Sequence, residues 1–191
     1  MSKQGEPMKC SEKEMSLGDI INKDEKQHAA IVDRISKGYG IVANIIALIS
    51  EIPLGHRKIE IGLELRQAWL LNGILYDSEI WQNLTKKDKS DLMKIYEYLL
   101  KSITGAHSKV PSEQLYLETG TLSIPQVIET RRMIYLLTIV KRPDGVLIRK
   151  IYEAMREDPI PGDWSEQVKC DIEKIYLHIS EEAIRDMDEE Q

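Results

Sequence analysis

The sequence predicts a mainly α fold of about seven helices, and three observations predict it. Apolar residues recur three and four positions apart through most of the 191 residues. Glycine and proline fall largely between these periodic stretches, where helices stop and start. One short segment alone, Leu17-Gly18-Asp19-Ile20-Ile21, reads as a strand, and the turn-like Asn22-Lys23-Asp24 closes it.

Taken in order, residues 1–14 are polar, rich in Lys and Glu, and interrupted by Gly5 and Pro7, the pattern of a disordered arm. A first helix is expected from about Lys26 to Ser50. Ile31, Ile35, Tyr39, Val42, Ile45, Ile46 and Ile49 form its stripe. Gly38 and Gly40 lie inside it at a cost of roughly 1 kcal/mol each relative to Ala, which points to a close helix contact or a kink. Pro53-Leu54-Gly55 ends it. The second helix spans roughly Arg57 to Leu75, with Ile59, Leu63, Ala68, Trp69 and Leu70 on its expected buried side. Thr85 and Asp88 have capping-box spacing. The helix they open buries Leu92, Ile95, Tyr96, Leu99, Leu100 and Ile103. It turns Lys86, Lys87, Lys89, Lys94 and Lys101 outward, and Gly105 stops it.

The stretch from Pro111 to Val140 reads as the centre of the fold. Leu115, Tyr116 and Leu117 mark a short helix, and Gly120 stands where a left-handed C′ residue is needed. Ser123 caps the next helix, with Pro125 in its first turn. Beyond Arg132 this helix has almost no polar face, so it is expected to lie in the middle. Lys141-Arg142-Pro143-Asp144-Gly145 is a turn, and an amphipathic helix covers Val146 to Met155. Pro159, Pro161 and Gly162 break the chain before a helix from Trp164 to Ile179. Ser180-Glu181-Glu182 opens an acidic tail. The expected organisation is an arm (1–14), a strand and turn (15–25), a helical domain (26–179) and the tail (180–191).

Composition bounds the function. With 42% hydrophobic and 30% charged residues this is ordinary globular protein, and with no Phe its core bulk must come from Leu, Ile, Tyr and three Trp. Cys10 and Cys170 lie far apart with no CxxC or His partner, as expected of buried or idle thiols in a reducing compartment. No apolar run reaches membrane-spanning length and MSKQGEPMKC has no signal-peptide core, so an intracellular location, nuclear or cytoplasmic, is expected, away from membranes. The net charge of −6 is uneven. Residues 31–151 carry 17 basic and 13 acidic side chains, whereas residues 152–191 carry four and 13.

Motifs for catalysis are absent. His28, His56, His107 and His178 lack ligand spacing, and there is no phosphate loop, dinucleotide fingerprint or nucleophile elbow. No cofactor, metal or small-molecule substrate is expected. The binding candidates are cationic. Arg131 and Arg132 match phosphate geometry, or pair at the surface with Glu118 or Glu129. Lys109 lies in a loop, His107-Ser108-Lys109-Val110-Pro111, that contacts a backbone or merely connects. Arg66 sits beside Trp69 as a ligand contact or a buried pair partner. The Lys86–Lys101 face is more often solvated than binding.

Seven segments occur in one order and spacing: Leu17-Gly18-Asp19-Ile20-Ile21, Lys37-Gly38-Tyr39-Gly40-Ile41, Leu71-Asn72-Gly73-Ile74-Leu75, Ser78-Glu79-Ile80-Trp81, Leu115-Tyr116-Leu117-Glu118-Thr119-Gly120, Arg131-Arg132-Met133-Ile134-Tyr135-Leu136 and Glu157-Asp158-Pro159-Ile160-Pro161-Gly162-Asp163. Over nearly all of residues 15–180 the series resembles the region after the palm in reverse transcriptases of non-LTR retrotransposons. The resemblance implies that Leu17-Gly18-Asp19 ends the strand gripping the primer and that a helical thumb with its C-terminal extension follows. It also implies packing against a template–primer duplex, RNA or RNA–DNA, largely through its backbone. Lys37, Arg66, Lys101, Lys109, Arg131 and Arg132 are the expected contacts. Ser16 departs from the family, which usually has an aromatic residue there. The family's palm holds two Mg²⁺ on aspartates that include a Tyr-x-Asp-Asp pair, and no such pair occurs in this chain, so it is not expected to polymerise alone. The alternatives are a helical protein-interaction module, a transposon relic without function, or part of a gene whose palm is encoded upstream.

Overall fold

The computed structural model describes residues 13–16, 19–22, 28–82, 84–158 and 160–175. The arm through residue 12, Leu17-Gly18, and the acidic tail with the end of the last expected helix lie outside the described residues. Among those described, the fold is mainly helical. Two four-residue strands, β1 (Lys13–Ser16) and β2 (Asp19–Asn22), pair antiparallel, with Met15 opposite Ile20. The expectation of one strand is thereby corrected to a small hairpin that takes in Lys13 and Glu14.

Seven helices follow among the described residues. They are α1 (His28–Ser50), α2, α3 (Lys86–Thr104), α4 (Ser112–Thr119), α5 (Ile124–Val140), α6 (Leu147–Glu157) and α7 (Trp164–Ile175). Helix α2 is continuous through three segments: His56–Leu65, a π-helical stretch Arg66–Leu71, and a last turn Asn72–Ile74. A short 3₁₀ turn, Ser78–Ile80, connects it towards α3.

Helices α1, α2 and α3 form an up-down-up bundle. His28 meets Asp88 and Gly38 faces Ile95, so α1 and α3 run the same way. Gly62 faces Ile103 and Arg66 meets Tyr96, so α2 runs the other way. Their interior holds Ile31, Val42, Ile45, Leu70, Ile74, Leu92, Ile95, Tyr96, Leu99 and Ile103, joined by Leu115 from α4 and by Ile124 and Ile128 from α5. A second core gathers Leu136, Ile139 and Val140 of α5 with Tyr152 of α6 and Trp164 and Val168 of α7. The Trp164 ring meets Tyr135 and Tyr152 edge-on, at 5.7 and 5.9 Å. Helix α5 is therefore a bridge between two cores. Its outer side leaves Ile134 exposed, so the apolar stretch beyond Arg132 is not buried all round.

Helix ends follow the sequence rules closely. Thr85 accepts from the Asp88 backbone N–H at 3.1 Å, and Asp88 accepts from the Thr85 N–H and hydroxyl, a complete capping box. The Gln126 side chain accepts from the Ser123 N–H and hydroxyl at the start of α5. Gly105 (φ 69°) and Gly120 (φ 61°) end α3 and α4 in the left-handed conformation that disfavours a Cβ.

Two expectations about faces fail for identifiable reasons. The π stretch in α2 inserts wider turns, so the face forecast from a 3.6-residue period rotates. Leu70 is buried as expected, together with Leu71 and Ile74, while Trp69 and Ala68, expected beside it, come to the surface. Tyr39 was expected in the stripe of α1, but it is 50% exposed. Gly38, not its neighbour, occupies the contact point. A Cβ on Gly38 would stand 2.7 Å from Ile74 Cγ2 and 2.9 Å from Ile95 Cδ1, whereas one on Gly40 meets nothing within 4 Å.

The paired glycines separate packing from helix propensity. Gly38→Ala should destabilise the fold by about 1–3 kcal/mol through overpacking against a β-branched side chain. Gly40→Ala should stabilise it by roughly 0.5–1 kcal/mol. Urea denaturation of both variants checks the opposite signs. The Asp88 carboxyl offers a second check. Burial raises its pKa, but hydrogen bonds from Thr85 and His28 outweigh that and hold it below the ordinary carboxylate value. A lowered folded-state pKa stabilises above the unfolded value, about 3.9, and that stability is lost as pH falls through the folded value. Acid unfolding curves of the parent should show this component, and Asp88→Asn should lack it.

Candidate nucleic-acid interface

Arg131 and Arg132 meet at one junction, and they are engaged there with protein. Helix α2 ends with carbonyls that have no intrahelical partner. Asp77, in the left-handed conformation (φ 55°), turns the chain sharply after it. Arg131 donates from one guanidinium nitrogen to the Leu75 carbonyl at 2.5 Å and from the other to Asn72 Oδ1 at 3.3 Å. A cation at the negative end of a helix is electrostatically favoured, so Arg131 acts as a cap on α2. Burial pushes its guanidinium below the ordinary value, with Glu79 acting in the opposite sense. Arg34 of α1 reaches the same turn. Its guanidinium donates to the Tyr76 carbonyl and lies over the Tyr76 and Trp81 rings, 5.4 and 5.3 Å from their centroids.

Arg132 is 3% exposed. It donates to Asp171 Oδ2 of α7, itself fully buried, and at 3.1 Å to the Trp81 carbonyl. Its Nε has no hydrogen-bond partner among the described residues. Lys174 braces the pair from outside, donating to Glu129 at 2.9 Å and approaching Asp171 at 3.5 Å. Glu129, by hydrogen bond and charge, and then Asp171 raise the Lys174 pKa against the opposing effect of burial. The expectation that Arg132 meets phosphate is corrected: its charge is paired with Asp171, and almost none of its surface reaches solvent. Neither arginine uses the surface pairing with Glu118 or Glu129 that the sequence offered as the alternative.

The other expected contacts are scattered. Arg66 is half-buried, bonded to the Tyr96 hydroxyl with its guanidinium 5.7 Å from that ring's centroid. Lys37 is exposed on α1 and paired with Asp33 at 2.7 Å. Lys101 donates to the Ser108 carbonyl at 2.9 Å and so pins the loop that carries exposed Lys109. These six residues do not form one site.

What sequence reasoning passed over is a groove between α3 and the start of α5. It is open, about 410 Å³, and lined by Lys86, Lys89, Ser90, Met93, Lys94, Glu97 and Pro125. Lys86 and Lys89 have no ion-pair partner among the described residues, while Lys94 holds half-buried Asp91 at 2.8 Å. Lysines at positions 86, 89 and 94 share one side of α3, so their spacing alone fits a solvated face equally well. Pro125 supplies the opposing wall, and it is invisible from α3 in sequence. Among the described residues no group of three or more His, Cys, Asp or Glu could hold a metal ion, and no helix is long and apolar enough to cross a membrane.

Removing one partner of the Arg132–Asp171 pair leaves a buried charge uncompensated. Asp171→Ala should cost about 3–5 kcal/mol, and the double replacement Arg132→Met with Asp171→Leu far less. Chemical denaturation of the single and double variants measures the difference. No protein-family model matches the chain, and neither curated proteins nor solved structures include a significant match.

Proposed function

We propose that this chain is the post-palm, thumb-like part of a non-LTR retrotransposon reverse transcriptase, acting as a non-catalytic contact to the backbone of a template–primer duplex. The ordered resemblance of its segments supports the family, and the lysine groove on α3 is the observation that carries the binding. Lys86, Lys89 and Lys94 line an open groove that runs along the first three turns of α3 and is walled by Pro125 at the start of α5. Such a site reads phosphate and helix shape without reading bases. Contacts of this kind are salt-dependent, with a log–log slope of about −0.9 per phosphate for B-DNA. Arg131 and Arg132 serve this function indirectly, by fixing α5 against α2 and α7.

A second reading, a protein-interaction module, draws on a different surface. An open groove of about 840 Å³ lies between α6 and α7, with Tyr152, Ile160, Pro161, Val168 and Ile172 along it, and Leu147 and Ile151 are exposed on α6. Large exposed apolar patches mark interaction surfaces.

Fluorescence anisotropy with a labelled RNA duplex and an RNA–DNA duplex, at several salt concentrations, tests the first reading. The full chain should bind at micromolar strength or weaker at physiological salt, with affinity falling steeply as salt rises. Lys86→Ala with Lys89→Ala should weaken binding and flatten the salt slope by about one to two units. Deleting residues 180–191, six of them acidic, should strengthen it. Salt-insensitive binding, or identical curves for the parent and the double variant, would remove the groove from consideration. No duplex binding at low salt would leave the apolar groove as the better guide.

A further inference from the structure

Beside the lysine groove, α3 and α1 present two exposed aromatic rings among cations. Tyr98 on α3 is 56% exposed and Tyr39 on α1 is 50% exposed. Lys87, Lys94 and Lys101 repeat every seven residues along α3, about 10.5 Å apart, and Tyr98 follows Lys94 by one turn. Gly38 of α1 faces Ile95 of α3, and this contact brings the next residue, Tyr39, to the side of α3 that carries Lys94. Asp91, by hydrogen bond and charge, and then the Tyr39 oxygen hold the Lys94 ammonium above its ordinary range.

The backbones under both rings are fixed. Gly38, next to Tyr39, is wedged against Ile74 and Ile95. Tyr98 stands between the buried Ile95 and Leu99. Rings held on rigid helices lose little freedom when something stacks on them. Neither ring is taken up by the core, by contrast with Tyr96, which lies 6.2 Å from Tyr116. The neighbouring charges do not close the surface. The Lys94–Asp91 pair is exposed and therefore worth little, so a phosphate can compete for the ammonium.

We infer that the α1–α3 ridge binds single-stranded nucleic acid, with unpaired bases stacking on Tyr39 and Tyr98 and phosphates meeting Lys87, Lys94 and Lys101. A duplex keeps its bases stacked inside and offers these rings only its backbone, whereas an unpaired strand offers a π-face at each base. The ridge thus has a chemistry that the groove lacks. The inference rests on the proposed nucleic-acid role and adds to it a preference for a strand that is not yet, or no longer, paired.

The test uses the full chain and two labelled probes, an oligouridylate and an RNA duplex with the same number of phosphates, in anisotropy titrations. Helical circular dichroism checks that each variant is folded. Tyr98→Ala and Tyr39→Ala should each weaken oligouridylate binding about five-fold or more and leave the duplex unchanged. Tyr98→Phe and Tyr39→Phe should bind as the parent does, since stacking needs the ring and not the hydroxyl. Lys87→Ala should reduce the salt dependence for the single strand. Single-strand binding that ignores the alanine changes, or that the phenylalanine variants lose equally, overturns the ridge and leaves the groove untouched. If Lys86→Ala with Lys89→Ala has no effect on the duplex while the tyrosine effects appear, the groove fails and the ridge stands. No binding of either probe overturns both.

Discussion

The buried pair between Arg132 and Asp171 is the constraint on which the arrangement of the two cores depends. A charge taken out of water is costly, and only a partner with good geometry offsets that cost. Arg132 meets a carboxylate from α7 and a carbonyl from Trp81, so one side chain ties the bridge helix to the C-terminal helix and to the segment leaving α2. The Trp164 indole makes a parallel tie, donating to the Glu79 carbonyl at 2.7 Å. Both links end on the stretch from Ser78 to Trp81, whose irregular backbone leaves carbonyls free to accept. Burial of a pair like this is weak evidence for stability. Its consequence is geometric: other relative placements of α5 and α7 would strand a charge.

The same stretch explains why arginines cluster there. The end of α2, the left-handed Asp77 and the 3₁₀ turn expose several carbonyls within a few residues. Arg34, Arg131 and Arg132 each take one. Guanidinium groups suit this work, because a planar fork can satisfy a carbonyl and still stack on Tyr76 or Trp81. The basic character of the middle of the chain is thus divided between two uses. Arginine is largely consumed inside, and lysine on α3 remains for the surface.

Much of the helical scaffold was legible in the sequence because its signals are local. Thr85 with Asp88, Ser123 with Pro125, Gly105 and Gly120 each act within a few residues, and each ends or begins a helix as its chemistry requires. What was not legible depends on distance or on register. The π stretch at Arg66–Leu71 carries no composition of its own, yet it moves Trp69 from the expected core face to solvent. The partners of Arg131 and Arg132 lie 39 to 59 residues away, so a surface pairing with Glu129 was the nearer guess. The groove beside α3 was hidden for the same reason, since Pro125 comes from another helix. Of the site, then, the residue types were readable and their assembly was not.

The 39-residue separation of Arg132 from Asp171 also has a meaning in time. Chains emerge from the ribosome N-terminus first, at about 5–20 residues per second. The bundle of α1, α2 and α3 and the start of α5 are therefore available several seconds before α7 exists. During that interval Arg132 has no counter-charge, and burying it is strongly disfavoured. The second half of α5 should stay undocked until α7 arrives, with its apolar side chains open to other binders. A chaperone that favours apolar segments flanked by arginine would find its target there, in the nascent protein and not in the finished one.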